Sequence, residues 1–234
     1  MFIIFKIDYL CIYSSLSKNW YNFYIIKKLG LINMKMKLLD KITGTIISGV
    51  VIAIVIAQGT DLSGANAANS LIIWIHVLAG VLWIGLLYYF NFVQVPSVAE
   101  ANADEGGPGP AAISKYVAPR ALLWFRWAAL LTWISGAAFL LHNGNLGDAF
   151  ELGMRTGNPY ATTIGIGAWM GTIMLFNVWI LIWPNQKKVL GIVDATPEEK
   201  AKGARIAFLA SRTNTMLSIP MLMSMVGAGH GFFM

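Results

Sequence analysis

The chain has 234 residues, of which 57% are hydrophobic and only 12% are charged, and its mean hydropathy is +0.63. A soluble domain carries about 25% charged residues, so this composition excludes an ordinary soluble protein and predicts an integral membrane protein. The formal net charge is +6. Because the cationic residues flank apolar stretches, they indicate contact with anionic lipid, and the sequence has no nucleic-acid-binding motif. The single cysteine, Cys11, excludes a disulfide framework, a thiolate-rich metal site and a CxxCH site for c-type haem.

Residues 1–35 differ in composition from the rest of the chain, because they are rich in Ile, Tyr, Lys and Asn and lack Ala. Two interpretations remain open. The segment lies on the membrane surface as an amphipathic extension, or it is an untranslated upstream stretch and the true start is Met34 or Met36 instead of Met1. It lacks the cleavage site of a secretory signal peptide. Residues 36–234 are predicted to form a single transmembrane helical domain.

The hydropathy pattern predicts an all-α bundle of about five transmembrane helices. The first span, Ile42–Ala57, is either an uncleaved signal anchor or a signal cleaved near Ala65–Ala68. The second, Ser70–Val95, has 26 residues and no charged side chain, whereas about 20 residues suffice to cross a bilayer. Pro184 is expected to close the fourth helix and Pro220 to kink the fifth. The other three spans are predicted at about Ala121–His142, Thr162–Trp183 and Phe208–Phe233.

The distribution of Lys and Arg predicts the orientation in a bacterial inner (plasma) membrane. Cations collect on one side of the predicted spans, and cytoplasmic loops carry such an excess. The opposite side has only Arg155, so the amino terminus is predicted to be cytoplasmic and the last helix to end outside. The cations of the cytoplasmic side are Lys35, Lys37, Lys41, Lys115, Arg120, Lys187, Lys188, Lys200, Lys202 and Arg205.

This topology gathers all three histidines, His76, His142 and His230, in the outer leaflet. Neutral imidazole is the commonest metal ligand and a usual axial ligand of haem. The sequence therefore predicts a b-type haem held by His76 and His230, with Gly80, one turn after His76, leaving room for a flat group. A mononuclear copper or zinc site at the three histidines is the alternative. The plainer interpretation of His76 is a hydrogen bond between helices, to a backbone carbonyl or a hydroxyl.

Arg126 and Arg212 are the only cations well inside the predicted spans. A guanidinium group binds carboxylates in a bidentate fashion, so this pair is predicted to neutralise a haem propionate or an anionic substrate. The alternative is that the side chains extend to the cytoplasmic lipid phosphates. Asn177 and Asn214 are expected to bridge helices.

Four stretches together cover about a third of the chain and carry a resemblance to a known family: WIHVLAGVLWIG (Trp74–Gly85), FRWAALLTWISG (Phe125–Gly136), WPNQKKVLG (Trp183–Gly191) and SRTNTMLSIPMLMSM (Ser211–Met225). They resemble the membrane-integral domain of bacterial urate oxidase (urate hydroxylase). The resemblance implies oxidation of urate to 5-hydroxyisourate, with electrons passed to a cytochrome c. By position, His76, Arg126, Asn214 and His230 match or neighbour family positions, which adds Asn214 to the predicted substrate-binding residues.

The chain departs from this family in two features. It has no CxxCH motif for a fused cytochrome c domain, and it ends in GAGHGFF where the family has an NHYP-like ending. A separate cytochrome c is therefore the expected partner. The competing hypothesis is a non-enzymatic accessory subunit of a larger membrane electron-transfer complex. A short helical chain with glycine-rich faces and no carboxylate inside its spans suits that role. Whether the chain is an enzyme, and whether it forms a homo-oligomer, are left open.

Overall fold

The computed structural model describes residues 36–58 and 65–231, and every regular element within these ranges is helical. This confirms the predicted all-α class. The chain divides into two compact units between Ser63 and Gly64. The two interpretations of residues 1–35 concern residues outside the described ranges. The helices are α1 (Met36–Leu39), α2 (Ile42–Gln58), α3 (Ala65–Tyr88), α4 (Val95–Ala103), α5 (Ala118–His142), α6 (Leu146–Phe150), α7 (Pro159–Phe176), α8 (Trp183–Val189) and α9 (Pro197–His230).

The described part of the first unit consists mainly of α2. This helix has 17 residues and none of them is buried within the protein, and it confirms a helix at the predicted first span. At 1.5 Å per residue it is about 25 Å long, slightly less than the roughly 30 Å of a hydrocarbon core. Its Ser48 hydroxyl bonds back to the Gly44 carbonyl at 2.8 Å, so this polar group is satisfied without a partner helix.

The second unit contains three helical runs that are long and apolar enough to cross a membrane: Ala67–Ala103, Ile113–His142 and Pro159–Val189. They correspond to the predicted second, third and fourth spans. The predicted fifth span coincides, as far as His230, with the later part of α9, a 34-residue helix. Within the described residues, α9 is not among the helices that meet the length and hydropathy of a span. Polar residues such as Arg212, Asn214 and Ser218 interrupt its apolar part.

Each of the three long runs contains a π-helical segment. Segment π1 is Tyr89–Gln94, π2 is Ile113–Val117 and π3 is Asn177–Ile182. The expectation that Pro184 closes the fourth helix is wrong, because the chain continues from π3 into α8 as far as Val189. Pro184 lies directly after π3, where the wider turn has already shifted the backbone hydrogen bonds, as the bond from the Trp183 N–H to the Val178 carbonyl shows, and where a proline is accommodated within the helical run.

Contacts at both ends of the helices show that the second unit is built from antiparallel neighbours. The start of α3 meets the end of α5, where the amides of Asn69 and Asn143 exchange two hydrogen bonds. At the other end of this pair, Phe90 meets Phe125 edge to face, with ring centroids 5.5 Å apart. Helices α7 and α9 are tied in the same manner, and their hydrogen bonds are described below with the site.

The interior of the second unit is filled by large side chains. Trp83, Leu87, Phe125 and Met174 are at most 2% exposed and belong to one cluster built from α3, α5, α7 and α9. Burial of such side chains is worth roughly 1.5–3 kcal/mol each relative to exposure to water. The packing holds the helices in a fixed register, which positions the polar side chains described next.

Candidate functional site

His76 lies half-buried between α3 and α5, and one ring nitrogen is bonded to the neighbouring helix. Its Nδ1 is 2.8 Å from the Thr132 carbonyl oxygen and 3.4 Å from the Ser135 hydroxyl. A carbonyl can only accept, so Nδ1 carries the proton and Nε2 keeps a lone pair. The plainer interpretation of His76, a hydrogen bond between helices, is therefore confirmed. The same tautomer is also the one that metal-binding histidines adopt when a backbone carbonyl orients them.

Glycines explain how this ring fits between the two helices. A Cβ atom on Gly136 of α5 would lie 3.0 Å from His76 Cε1, so only a glycine leaves room for the ring. At Gly80, where a flat cofactor was expected, a Cβ atom would meet the Thr132 methyl group at 3.7 Å. The space beside Gly80 is therefore occupied by helix α5.

The other two histidines lie at exposed helix ends. His230 bonds through Nδ1 to the Val226 carbonyl of its own helix, at 2.8 Å, and it adjoins an open groove of about 490 Å³. His142 is the exposed last residue of α5. The hydrogen-bond partners of His76 are on α5 and that of His230 is on α9. Within residues 36–58 and 65–231, no group of three or more His, Cys, Asp or Glu is positioned to hold a metal. The groove is lined by Leu222, Met223, Val226, Gly227 and His230.

A buried amide pair links α9 to α7, as expected for Asn177 and Asn214. Asn214 is fully buried; its Nδ2 donates to the Met174 carbonyl at 2.9 Å and its Oδ1 accepts from Asn177 Nδ2 at 2.8 Å. Further along the same helices, the Ser224 hydroxyl donates to the Thr163 carbonyl. Because the protein occupies both ends of its amide, Asn214 acts here as a link between helices, which differs from the expected substrate contact.

A second set of hydrogen bonds links α3 and π1 to α9. The Tyr88 and Ser218 hydroxyls are 2.9 Å apart, and Asn91 Nδ2 donates to the Ser211 hydroxyl at 2.8 Å. The sequence analysis missed these four residues. A signal was present, since Ser211, Asn214 and Ser218 follow i, i+3, i+7 spacing on one helix face. Asn91 and Asn177 both lie in π-helical segments, which occur frequently at functional sites.

The two arginines within the predicted spans have different surroundings. Arg126 is half-buried, and its Cζ lies 3.8 Å from the ring centroid of Trp183. Arg212 is exposed, with Cζ 5.2 Å from the ring centroid of Phe208. The two arginines therefore lie over different rings, and their predicted joint role stays a prediction.

The comparisons with known proteins bear on the carboxyl-terminal third of the chain. Residues 154–234 match the family model described as urate oxidase N-terminal. No curated protein and no solved structure matches the chain. The matched residues include Asn177, Asn214 and His230, whereas His76 and Arg126 precede them. They also contain two of the four resembling stretches, Trp183–Gly191 and Ser211–Met225. The match supports a urate oxidase-like relationship for this part of the chain.

Proposed function

We propose that this protein is a multi-pass membrane oxidoreductase of about five spans that oxidises urate to 5-hydroxyisourate. The observation that carries the proposal is the match of residues 154–234 to the urate oxidase N-terminal model. Helices α7 and α9 of this region are held together by the buried Asn177–Asn214 pair, so the matched sequence forms a packed unit. The second and third spans, which hold His76 and Arg126, complete the bundle.

The proposed reaction needs an electron acceptor. Conversion of urate to 5-hydroxyisourate adds one water oxygen and releases two protons and two electrons. A cytochrome c accepts one electron, so two are reduced for each urate oxidised. The predicted outer-leaflet position of the histidines suits a cytochrome c in the periplasm of a bacterial cell.

A b-type haem is part of this proposal, and His76 is its first ligand. The Thr132 carbonyl holds the proton on Nδ1 and Gly136 leaves room for the ring, so Nε2 is the nitrogen that would bind iron. A haem ligated in this position would pass single electrons between substrate and acceptor. His230 is the proposed second ligand, because its Nδ1 is also bonded to a carbonyl. Copper remains the alternative metal.

The activity is tested with the detergent-purified full chain, urate and oxidised cytochrome c. Urate loss and cytochrome c reduction are followed together by absorbance. The expected result is reduction that depends on urate, with two cytochromes reduced per urate consumed. A folded protein that consumes no urate under these conditions would contradict the proposal, and the same protein with xanthine in place of urate serves as the control.

The haem is tested separately by a dithionite-reduced minus oxidised visible spectrum. The comparison includes the unchanged chain, His76→Ala, His230→Ala and, as the matched control, His142→Ala. A b-type α-band in the unchanged chain and in His142→Ala, absent from the other two variants, is the expected result. If the α-band persists in His230→Ala, a residue other than His230 is the second ligand. If the α-band is absent from the unchanged chain and from every variant, the protein does not bind haem b.

The second candidate function is an accessory subunit of a larger membrane electron-transfer complex. The observation that favours it is the filled interior, since Trp83, Leu87 and Phe125 are at most 2% exposed and leave no evident chamber among them for a substrate. A tagged chain that migrates with a much larger complex in a native gel, and that oxidises no urate alone, would support this function. A chain active by itself would contradict it.

A further inference from the structure

Arg126 occupies an unusual position for a cation in this protein. It lies within the apolar run Ile113–His142, half-buried, with its guanidinium carbon 3.8 Å from the centre of the Trp183 ring. Contact with an aromatic face stabilises a cation by roughly 0.5–2 kcal/mol. The ring itself is not a hydrogen-bonding partner in the described structure, so the N–H groups of Arg126 are still available to bind an acceptor.

No protein acceptor fills these positions. Across the described residues, Arg126 makes no hydrogen bond, and the ion pairs are those of Arg155 with Glu151 and of Lys188 with Glu199. A guanidinium group has five N–H donors and no acceptor. None of these nitrogens is among the fully buried, unpaired polar atoms of the described residues, so the edge of Arg126 is open to an oxygen-rich anion from outside the protein.

A second cation approaches the same aromatic ring from the neighbouring helix. Lys187 of α8 has its Nζ 5.8 Å from the Trp183 centroid. The next residue, Lys188, lies 3.9 Å from a carboxylate oxygen of Glu199, whereas Lys187 has no carboxylate partner in the described part of the chain. Arg126 and Lys187 therefore bring two positive charges from two helices to one indole ring, without a protein counter-ion.

The surrounding surface is apolar and exposed. Trp127, next to Arg126 on α5, is 53% exposed, and it packs edge to face on Trp179 with centroids 5.4 Å apart. Tryptophan is enriched where membrane spans meet the headgroup region, and basic residues there attract anionic lipid. An anion that reaches this cluster would approach along a surface suited to acyl chains.

We propose that Arg126, Trp183 and Lys187 bind the phosphate of an anionic phospholipid headgroup, with the guanidinium edge donating to the phosphate oxygens and the lysine adding charge. The acyl chains lie on the exposed tryptophan surface of α5. This assignment is independent of urate oxidation. It takes up the lipid-phosphate alternative considered from sequence, and gives it a defined site, in place of the haem propionate or anionic substrate.

The test measures binding of lipids to the full chain in detergent by native mass spectrometry. Phosphatidylglycerol is compared with phosphatidylcholine that has identical acyl chains. The expected result is saturable, preferential binding of phosphatidylglycerol. Arg126→Gln and Lys187→Gln each weaken it by about fivefold or more, because one basic residue near an anionic lipid contributes that much. Arg126→Lys, which keeps the charge and loses the planar fork, gives a smaller but measurable loss.

The matched control is Arg205→Gln, which removes an exposed arginine whose Cζ lies 5.6 Å from the Phe208 ring centroid. Binding unchanged in this variant supports a specific site, whereas a loss equal to that of Arg126→Gln would show only general charge attraction and overturn the proposal. Equal binding of the two lipids would also overturn it. If Arg126→Gln does not fold, Arg126→Lys and Lys187→Gln decide the question.

Two further arms distinguish the source of the anion. Inorganic phosphate or urate is added to the lipid-bound protein at increasing concentration. Retention of phosphatidylglycerol supports a lipid site. Displacement by inorganic phosphate would indicate a site for a soluble anion, and displacement by urate would return Arg126 to the substrate; either result overturns the lipid assignment.

Discussion

The His76 ring is positioned by two residues of the helix that faces it. The Thr132 carbonyl accepts the Nδ1 proton at 2.8 Å, and the missing side chain of Gly136 gives the ring its space. Neither residue follows from the sequence around His76, because both lie about 60 positions later. The sequence could identify the histidine and its plainer role as a link between helices. The glycine that gives space to the ring is Gly136 on the facing helix, whereas Gly80 faces Thr132, and a role of Gly80 beside a cofactor stays a prediction.

Replacement of Gly136 by alanine should therefore disturb His76 directly. The new methyl group would lie 3.0 Å from Cε1 of the ring, so the ring must move and its hydrogen bond lengthens. Overpacking of this kind costs about 1–3 kcal/mol, measurable as a lower free energy of unfolding in a detergent titration. Gly85→Ala is the control on α3, since nothing lies within 4 Å of that position; it should be neutral or slightly stabilising. Equal effects of the two changes would contradict the contact.

The sequence also predicted, at the scale of single residues, that Asn177 and Asn214 bridge two helices, and the structure confirms it. Replacement of Asn214 by leucine leaves the Asn177 side-chain amide without its partner and removes one of the two hydrogen bonds that the Met174 carbonyl accepts. The loss is expected to cost about 1–3 kcal/mol of unfolding free energy. Thr213→Ala is the matched control, because Thr213 is exposed and its hydroxyl bonds only to its own helix, at Leu209. A loss of stability as small as that of Thr213→Ala would mean that the buried amide pair is dispensable.

At the scale of elements, the apolar pattern predicted where the helices lie. Most of the observed helices begin or end within a few residues of the predicted bounds. The third span, predicted at about Ala121–His142, is the helix Ala118–His142. The π-helical segments could not be predicted. A wider turn in π1 or π3 depends on which neighbouring side chains bond the loosened backbone, as Asn91 bonds the Leu87 carbonyl. Pro184 was misread for the same reason, because a proline directly after a π turn begins a new helical segment.

The start of α9 should respond to pH. The Thr196 hydroxyl accepts from the Glu199 N–H at 3.2 Å, and Glu199 Oε2 accepts from the Thr196 N–H at 2.9 Å. The Thr196 N–H hydrogen bond, and to a smaller extent the charge of Lys188, lower the pKa of the Glu199 carboxyl. The folded state therefore favours the ionised form, so its contribution is present above the pKa of an unfolded glutamate and is lost as pH falls through the lowered pKa.

Amide hydrogen exchange at Thr196 measures this contribution. Protection, corrected for the intrinsic effect of pH on exchange, should fall in acid for the unchanged chain and should not vary in Glu199→Gln. Glu198→Gln is the control, since Glu198 lies in the same turn and takes no part in the capping pair. If Glu198→Gln abolished the pH dependence, the assignment to Glu199 would be wrong.

On the scale of the whole second unit, antiparallel packing and charge distribution support one topology. Helices α3 and α5 lie antiparallel, with Asn69 near the start of α3 bonded to Asn143 at the end of α5. Helix α8 meets the start of α9 through Lys188 and Glu199. The loops at residues 104–112 and 190–196 therefore lie at one end, and the loop at residues 143–158 at the other. The sequence predicted this alternation because helix ends are marked by charges, whereas the contacts that hold it required the structure.

Cysteine labelling in intact cells tests which end faces the cytoplasm. Single cysteines replace Glu105, Met154 or Asp194, all exposed, in a chain that carries Cys11→Ser. Because Lys and Arg accumulate at the end of the loops 104–112 and 190–196, an impermeant maleimide should label only the Met154 variant from outside, and all three after the cells are opened. If only the Glu105 and Asp194 variants were labelled from outside, the orientation of the protein would be the reverse of the predicted one. That outcome would place the histidines near the cytoplasm, where a periplasmic cytochrome c has no access, and the proposed electron acceptor would then be wrong.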